Sequence, residues 1–246
     1  IFSLAVPNNT IIFSKKIFDE LKKNKNFKPE YVILNLGANN FNKNGVFTKR
    51  DYAIRRLLDF SELFSFLKIN GGFYYTIDGI ISKLFPIYGR RIEIRHPRHL
   101  YNLISTRNKL EKIPGMIDIK DSFTKPKRDA NLDKNYELIY ERSIYNKFEL
   151  SKIHTHVLEK FLNELNNEKI KVIIVQLPVD VDMQKLKDKL VGNKFENYLL
   201  RLKEKFDFVY IKEFYNLNYE FLDVNHLSIS GHKAFINDKI NPLIKW

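Results

Sequence analysis

Four short stretches of the chain are dense in apolar and β-branched residues: Ile1–Val6 (IFSLAV), Tyr31–Gly37 (YVILNLG), Lys171–Val179 (KVIIVQLPV) and Phe206–Phe214 (FDFVYIKEF). The second and third are nearly unbroken in apolar character, the pattern of strands covered on both faces. Between these runs the period lengthens to that of a helix. Ile17, Phe18 and Leu21 recur within Ile11–Lys25. Ile153, Val157, Leu158, Phe161, Leu162 and Leu165 recur within Ile144–Asn166. Leu186, Leu190, Tyr198, Leu199 and Leu202 recur within Met183–Lys205. Strands alternating with helices predict an α/β fold, a parallel sheet with helices on both faces.

The rhythm breaks between Asn42 and Arg142. One helix is predicted there, Arg50–Lys68. It is followed by NGGFYYTIDG and LFPIYGRR, rich in Gly, Pro and aromatics, and by DSFTKPKRDANLDKN, a polar loop composition. The expected organisation is one α/β domain in two parts, residues 1–41 and 143–246. Residues 42–142 form a mainly helical and loop insertion in one strand-to-helix connection, of the kind that builds a lid or a substrate wall. A second small domain is the other way to house them.

Composition narrows the functional classes. The 246 residues suit one domain with an insertion, and 44% apolar content provides for a buried core. Cysteine is absent, so disulfides, thiolate metal sites and cysteine nucleophiles are excluded. The formal charge of +13 favours polyanionic partners: nucleic acid, anionic lipid or acidic cell-wall polymers. Most lysines are scattered over helical stretches and read as solvated faces. The denser basic run is Tyr88–Asn102 (YGRRIEIRHPRHLYN), whose Arg, His and Tyr suit phosphates, bases or sugars; a basic surface loop is the plainer reading. No apolar run reaches the ~18–20 residues of a membrane span, and no signal-peptide pattern is present. The chain opens directly on a strand-like run, so its start, with any anchor or export signal, is expected upstream.

Three polar clusters follow three of the strands: PNNT after the first, ANNFN after the second, and FLDVNHLS beyond the last. In an open parallel sheet the carboxyl ends of the strands share one edge, where ligands bind. Asn8, Asn39, Asp223 and His226 are therefore candidates for one cleft. Each has a plainer reading. Asn and Gly are common turn residues, and Asn9 or Thr10 can cap the next helix. Asp223 and His226 are the more specific pair, because a helix containing Gly231 follows at once, with Ser228 or Ser230 as its N-cap. An Asp three residues before a His can accept the Nδ1–H, fix the tautomer and leave Nε2 as a general base. An Asn amide can donate to an oxyanion, worth roughly 3–4 kcal/mol in a transition state.

At these residues the chain resembles the SGNH (GDSL-like) hydrolase superfamily. Asp223 and His226 match its Asp-x-x-His block, which implies the acid and base of a catalytic triad. Gly37 and Asn39 match its Gly-x-Asn-Asp block, with Asn40 in place of the Asp, and the resemblance implies an oxyanion hole at Asn39 and Gly37. AVPNNT stands where the family has a Gly-containing block and carries no Gly; Asn8 and Asn40 remain as site-lining residues. The family's nucleophilic Ser turn follows its first strand. IFSLAV resembles the second strand, so the nucleophile is expected before Ile1. Ser3 reads as core, and Ser228 and Ser230 follow the base too closely. The fold implied is a flavodoxin-like three-layer sandwich of strand order 2-1-3-4-5 with its first strand missing. A chain lacking that strand is expected to be unstable or inactive alone.

The resemblance spans the α/β frame and not residues 42–142. It is nearest to cell-envelope esterases and O-acyltransferases, of the polysaccharide O-acetyltransferase and teichoic-acid D-alanylation types. That implies an acyl-ester or glycan substrate and a bacterial envelope or periplasmic location. An anionic polymer or membrane surface is a further partner suited to the charge. No cofactor is expected, since neither a Gly-x-Gly-x-x-Gly turn nor a P-loop is present. No metal is expected either: His154 and His156 diverge on a helix, and His226 with His232 lacks a third ligand. The alternative from another class is a non-catalytic SGNH-like envelope protein binding an acidic glycan through its basic insertion, in line with Asn40 and the missing Gly. A nucleic-acid binder using Tyr88–Asn102 is a third, and no specific nucleic-acid partner is expected.

Overall fold

Tyr31–Asn35 (β1), Lys171–Val175 (β2) and Val209–Ile211 (β3) form a parallel sheet in the order β1-β2-β3. The register pairs Ile33 with Ile173, Asn35 with Val175, and Val175 with Ile211. This computed structural model describes residues 10–45, 55, 57–85, 140–145, 147–212, 219–221 and 226–244. The expected strand Ile1–Val6, Asn8, Asp223 and the basic run from Tyr88 lie outside the described residues. The helices in chain order are α1 (Ile11–Lys22), α2 (Phe60–Ser65), α3 (Gly72–Leu84), α4 (Lys152–Asn167), α5 (Val181–Leu190), α6 (Lys194–Lys203) and α7 (Ile229–Phe235). The chain divides into two compact units, Ile1–Asp51 with Lys127–Trp246, and Tyr52–Pro126.

In the first unit β2 is the central strand, and Val172 to Val175 are all buried, as its unbroken apolar run predicts. Ile173 and Val175 join Ile211 in a cluster with Tyr219, Leu227, Phe235 and Ile240. Val172 and Ile174 alternate to the other side, and α4 packs against β2. The α4 stripe predicted from Ile153 to Leu165 is buried throughout. Phe18 of α1 meets Phe161 of α4 at 5.2 Å, Lys15 and Lys22 of α1 pair with Glu164, and the Tyr198 hydroxyl of α6 donates to the Thr155 carbonyl at 3.1 Å. α1, α4 and α6 are thus joined through α4, whose apolar side chains stabilise the unit by about 1.5–3 kcal/mol each when fully buried.

Three expectations are corrected in this unit. β1 was read as covered on both faces, but Ile33 is 46% exposed. The helix on that side packs over β2, the end of β3 and Tyr31, so Ile33 lies beyond its reach. The helix expected from Ile144 begins only at Lys152, because Ser151 caps it. The single helix expected over Met183–Lys205 is two, α5 and α6, divided by Gly192 at φ +56°. That left-handed conformation ends a helix, and the apolar period simply resumes beyond it.

The second unit corrects two more. The helix predicted over Arg50–Lys68 is interrupted at Asp59, which is extended and forms a capping box with Glu62 at the start of α2. The Gly- and aromatic-rich NGGFYYTIDG is helical from Gly72 onward, entered through Gly71 at φ +85°.

Candidate functional site

The chain leaves β1 through Leu36, whose N–H donates to the Val175 carbonyl at 2.9 Å. Gly37 is extended, at φ −108°, and Ala38–Phe41 make one 3-10 turn, closed by the Asn40 N–H on the Gly37 carbonyl at 3.0 Å. Ala38 and Phe41 are buried and anchor the turn, while Asn39 and Asn40 are half-buried. Phe41 packs against the rings of His154, Phe195 and Tyr198. The Asn39 side chain folds back over Gly37, and its amide oxygen occupies the space that a Cβ on residue 37 would need. The close approach at Gly37 is thus to the end of the Asn39 side chain, and its dihedral angles are open to other residues. The Gly-x-Asn spacing is one local unit: the glycine makes room for the amide.

Asn42, three residues on, was not singled out by the sequence. It is fully buried. Its Nδ2 donates to the Ile144 carbonyl at 2.7 Å, and its Oδ1 accepts from the Asn44 and Glu149 N–H groups at 3.2 Å each. Around it the Lys43 N–H donates to the Glu149 carbonyl at 2.7 Å, and the Ser151 N–H to the Phe41 carbonyl at 2.8 Å. Asn42 thus braces the turn after β1 against the segment leading into α4. Nothing in the Asn39-Asn40-Phe41-Asn42 run separates the braced Asn from its neighbours.

A Ser–His contact also lies at this edge and was likewise missed. Ser151 Oγ and His154 Nδ1 are 2.7 Å apart, with the residues 7% and 2% exposed. Ser151 caps α4 by accepting the His154 N–H, and the imidazole packs edge-on to Phe41. Burial of both groups in the first turn makes this a structural cap. His156 is exposed on the other side of the helix, as a spacing of two residues predicts.

The third cluster begins with an antiparallel bridge between Phe221 and Leu227. The Ser228 N–H donates to the Glu220 carbonyl at 2.9 Å. Ser228 is the N-cap of α7, accepting from the Gly231 N–H at 3.0 Å. A Cβ on Gly231 would collide with the Glu220 carbonyl, so this glycine too serves close packing. The Glu220 carboxylate accepts from the Ser230 hydroxyl and, at 3.0 Å, from Ser228. Those bonds, Ser230's first, hold its pKa below the usual carboxylate value.

His226 is exposed and directly precedes Leu227, which is buried against Val175 and Ile211, the last residues of β2 and β3. Gly37 and Asn39 follow β1, whose last residue pairs with Val175. Gly37 and Asn39 thus lie just past the carboxyl end of β1, and His226 adjoins a residue of the cluster that holds the ends of β2 and β3. Asp223, the expected partner of His226, and Asn8 lie outside the described residues. A cavity of about 740 Å³ runs along α6 and the segment before α4, lined in part by Phe148, Leu150, Lys194, Leu200 and Arg201. Gly37, Asn39, Asn40 and His226 are not in its lining. No family model matches this chain, and no match is found among curated proteins or solved structures.

Proposed function

We propose that this chain forms the α/β part of an SGNH-type serine esterase or O-acyltransferase on a flavodoxin-like frame, acting on an acyl ester of a cell-envelope glycan. The observation that carries the reading is the Gly37–Asn39 turn. An Asn amide folded onto a glycine just past the carboxyl end of a parallel strand is where an oxyanion donor would sit, and His226 adjoins Leu227, which is packed in the cluster holding the ends of β2 and β3.

In this reading Asp223 accepts the Nδ1–H of His226, and Nε2 takes the proton of a serine hydroxyl. The serine oxygen attacks the ester carbonyl. Asn39 Nδ2 and backbone amides of its turn donate to the tetrahedral oxyanion. The imidazolium then protonates the departing alcohol, and water or a sugar hydroxyl releases the acyl group by the reverse sequence. Ser228 and Ser230 are engaged with Glu220 and the start of α7, and Ser151 is buried. The nucleophile is assigned to a serine other than these three.

The test is hydrolysis of a short-chain p-nitrophenyl ester by the full-length protein. His226→Ala is expected to fall to near the uncatalysed rate, and Asn39→Ala to lose ~10²–10³ in kcat. Equal rates for wild type and His226→Ala would remove the catalytic reading. Retained binding of an acidic glycan without turnover would put a non-catalytic binder in its place.

A further inference from the structure

Two Asn-Gly dipeptides occur in the chain, Asn44–Gly45 and Asn70–Gly71. Such a pair is chemically labile. The backbone nitrogen that follows the asparagine can attack the side-chain amide carbon, and a glycine has no Cβ to shield that nitrogen. Both dipeptides carry the same reacting groups, so the fold decides which of them reacts.

Asn44–Gly45 is held at each of those groups. Asn44 Nδ2 donates to the Lys147 carbonyl at 2.8 Å. The Gly45 N–H donates to the Asn42 carbonyl at 2.9 Å. Gly45 is buried, and a Cβ on it would stand 3.0 Å from the Ile144 carbonyl oxygen. The buried Asn42 side chain braces the same turn. Attack at Asn44 requires both bonds to break and the turn to open.

Asn70–Gly71 is the reverse case. It forms the turn of the α2–α3 hairpin, between the 3-10 turn Phe66–Lys68 and α3. Both residues are exposed. Among the described residues, neither the Asn70 side chain nor the Gly71 N–H has a partner. A Cβ on Gly71 would meet no atom within 4 Å, so open space surrounds the residue that supplies the nucleophile. The bond that closes the turn is made one residue later, by the Gly72 N–H on the Ile69 carbonyl at 2.8 Å. Gly71 itself is left-handed, at φ +85°, where a glycine is favoured.

We propose that Asn70 is a site of spontaneous deamidation in the folded protein, and that the fold protects Asn44. The Gly71 nitrogen bonds to Asn70 Cγ as a solvent base takes its proton. The Cγ–Nδ2 bond breaks, and the amide nitrogen leaves as ammonia, taking a proton from water. Water then opens the cyclic imide at either carbonyl, which leaves aspartate or isoaspartate at position 70. Either product places a negative charge beside the start of α3, whose first turn has no acidic residue, and that charge is favourable there. Isoaspartate also adds a backbone carbon inside the span that the Gly72–Ile69 bond closes. The proposal rests on exposure and hydrogen bonding alone and does not depend on the esterase reading.

The test is incubation of the full-length protein at mildly alkaline pH, with peptide mapping by mass spectrometry at both sites. Position 70 is expected to convert at least ~10-fold faster than position 44, because the two bonds at Asn44–Gly45 must open first. In urea the two rates are expected to converge. Asn70→Gln, at an exposed position without a partner, is expected to fold as wild type and to lose the main acidic species that ion exchange resolves after incubation. Equal rates in the folded protein, or faster conversion at position 44, would overturn the proposal. So would a rate ratio that persists in urea, or the same acidic species forming in Asn70→Gln.

Discussion

Gly37→Ala is a substitution whose effect on activity and effect on stability are expected to part company. At φ −108° and ψ 151° residue 37 is in a region open to alanine. Its new methyl group would lie well within 3.0 Å of Asn39 Oδ1, an approach that real Cβ atoms essentially never make. The obstacle is the end of a half-buried side chain, not backbone, so the amide can rotate away at small cost. A Gly-to-Ala change at a compatible backbone also adds ~0.4–1 kcal/mol by restricting the unfolded chain. The denaturation midpoint is therefore expected to stay level or rise. On the proposed esterase reading, activity is expected to collapse. An oxyanion donor works within a window of ~2.7–3.1 Å, and loss of one costs ~10²–10³ in kcat, or ~2.7–4 kcal/mol. The assay is ester hydrolysis by wild type, Gly37→Ala, Asn39→Ala and the double variant. Because the methyl group of Gly37→Ala leaves the backbone N–H in place and acts by displacing the Asn39 amide, the double variant is expected to be no worse than Asn39→Ala, giving a coupling energy close to the full single effect. Wild-type kcat in Gly37→Ala alongside a large loss in Asn39→Ala would refute the reasoning. Additive losses in the double variant would refute it equally.

Asn42→Ala removes the donor to the Ile144 carbonyl and the acceptor of two N–H groups; at ~1–3 kcal/mol per orphaned buried group, urea denaturation is expected to show about 2–4 kcal/mol lost, and an unmoved midpoint would contradict the bracing role. Glu220 has its folded pKa depressed by Ser230 and then Ser228, so its contribution is present above the unfolded carboxylate pKa and is lost as pH falls through the folded value. Glu220→Gln is expected to flatten the acid limb of the stability–pH curve, and an identical limb would show those bonds to be thermodynamically idle. Tyr198 has its phenol pKa pushed up by burial and secondarily by Glu159; above pH ~10 the unfolded tyrosine ionises while the folded one stays protonated, so stability falls as pH rises. Tyr198→Phe is expected to remove that alkaline slope while costing ~0.5–1.5 kcal/mol at neutral pH for the bond to Thr155; an unchanged slope would assign it to other groups.

Elements whose burial is decided by their own pattern were legible in the sequence. β2 is an unbroken apolar run and is buried on both sides; α4 repeats its apolar residues at helical spacing and buries each of them. Boundaries depended on single residues that the period masks. Leu57, Leu58, Leu63 and Phe64 continue the apolar rhythm past Asp59, yet the Asp59–Glu62 capping box starts α2 afresh. The same reading, begun at Ile144, placed Ser151 inside a helix and so hid its cap on His154. In the candidate site, Gly37 and Asn39 were legible as a motif, but the reason for the glycine was not, because it is the position of the Asn39 amide. Asn42 was illegible for another reason. Its partners Ile144 and Glu149 lie 102 and 107 residues away, and no local pattern encodes them.

α3 shows the limit of the hydrophobic period most sharply. The helix carries two stripes of similar spacing, one of Gly72, Thr76 and Gly79, the other of Phe73, Ile77 and Leu84. Periodicity locates both and does not say which faces inward. Area burial alone would select the large stripe, worth about 1.5–3 kcal/mol per fully buried side chain. With Phe64, Leu67, Phe73, Tyr74, Ile77 and Leu84 roughly half exposed, the hairpin forgoes on the order of 5–9 kcal/mol of burial. That is comparable with the ~5–15 kcal/mol by which a whole domain is stable. Leu58, Leu63, Phe66 and Tyr75 of the same unit are each at most 5% exposed and contribute burial of the same order in return. The inward face of α3 is therefore chosen by side chains of the other arm, Leu63 and Phe66, seated over Gly79 and Tyr75, and the helical period of α3 does not encode them.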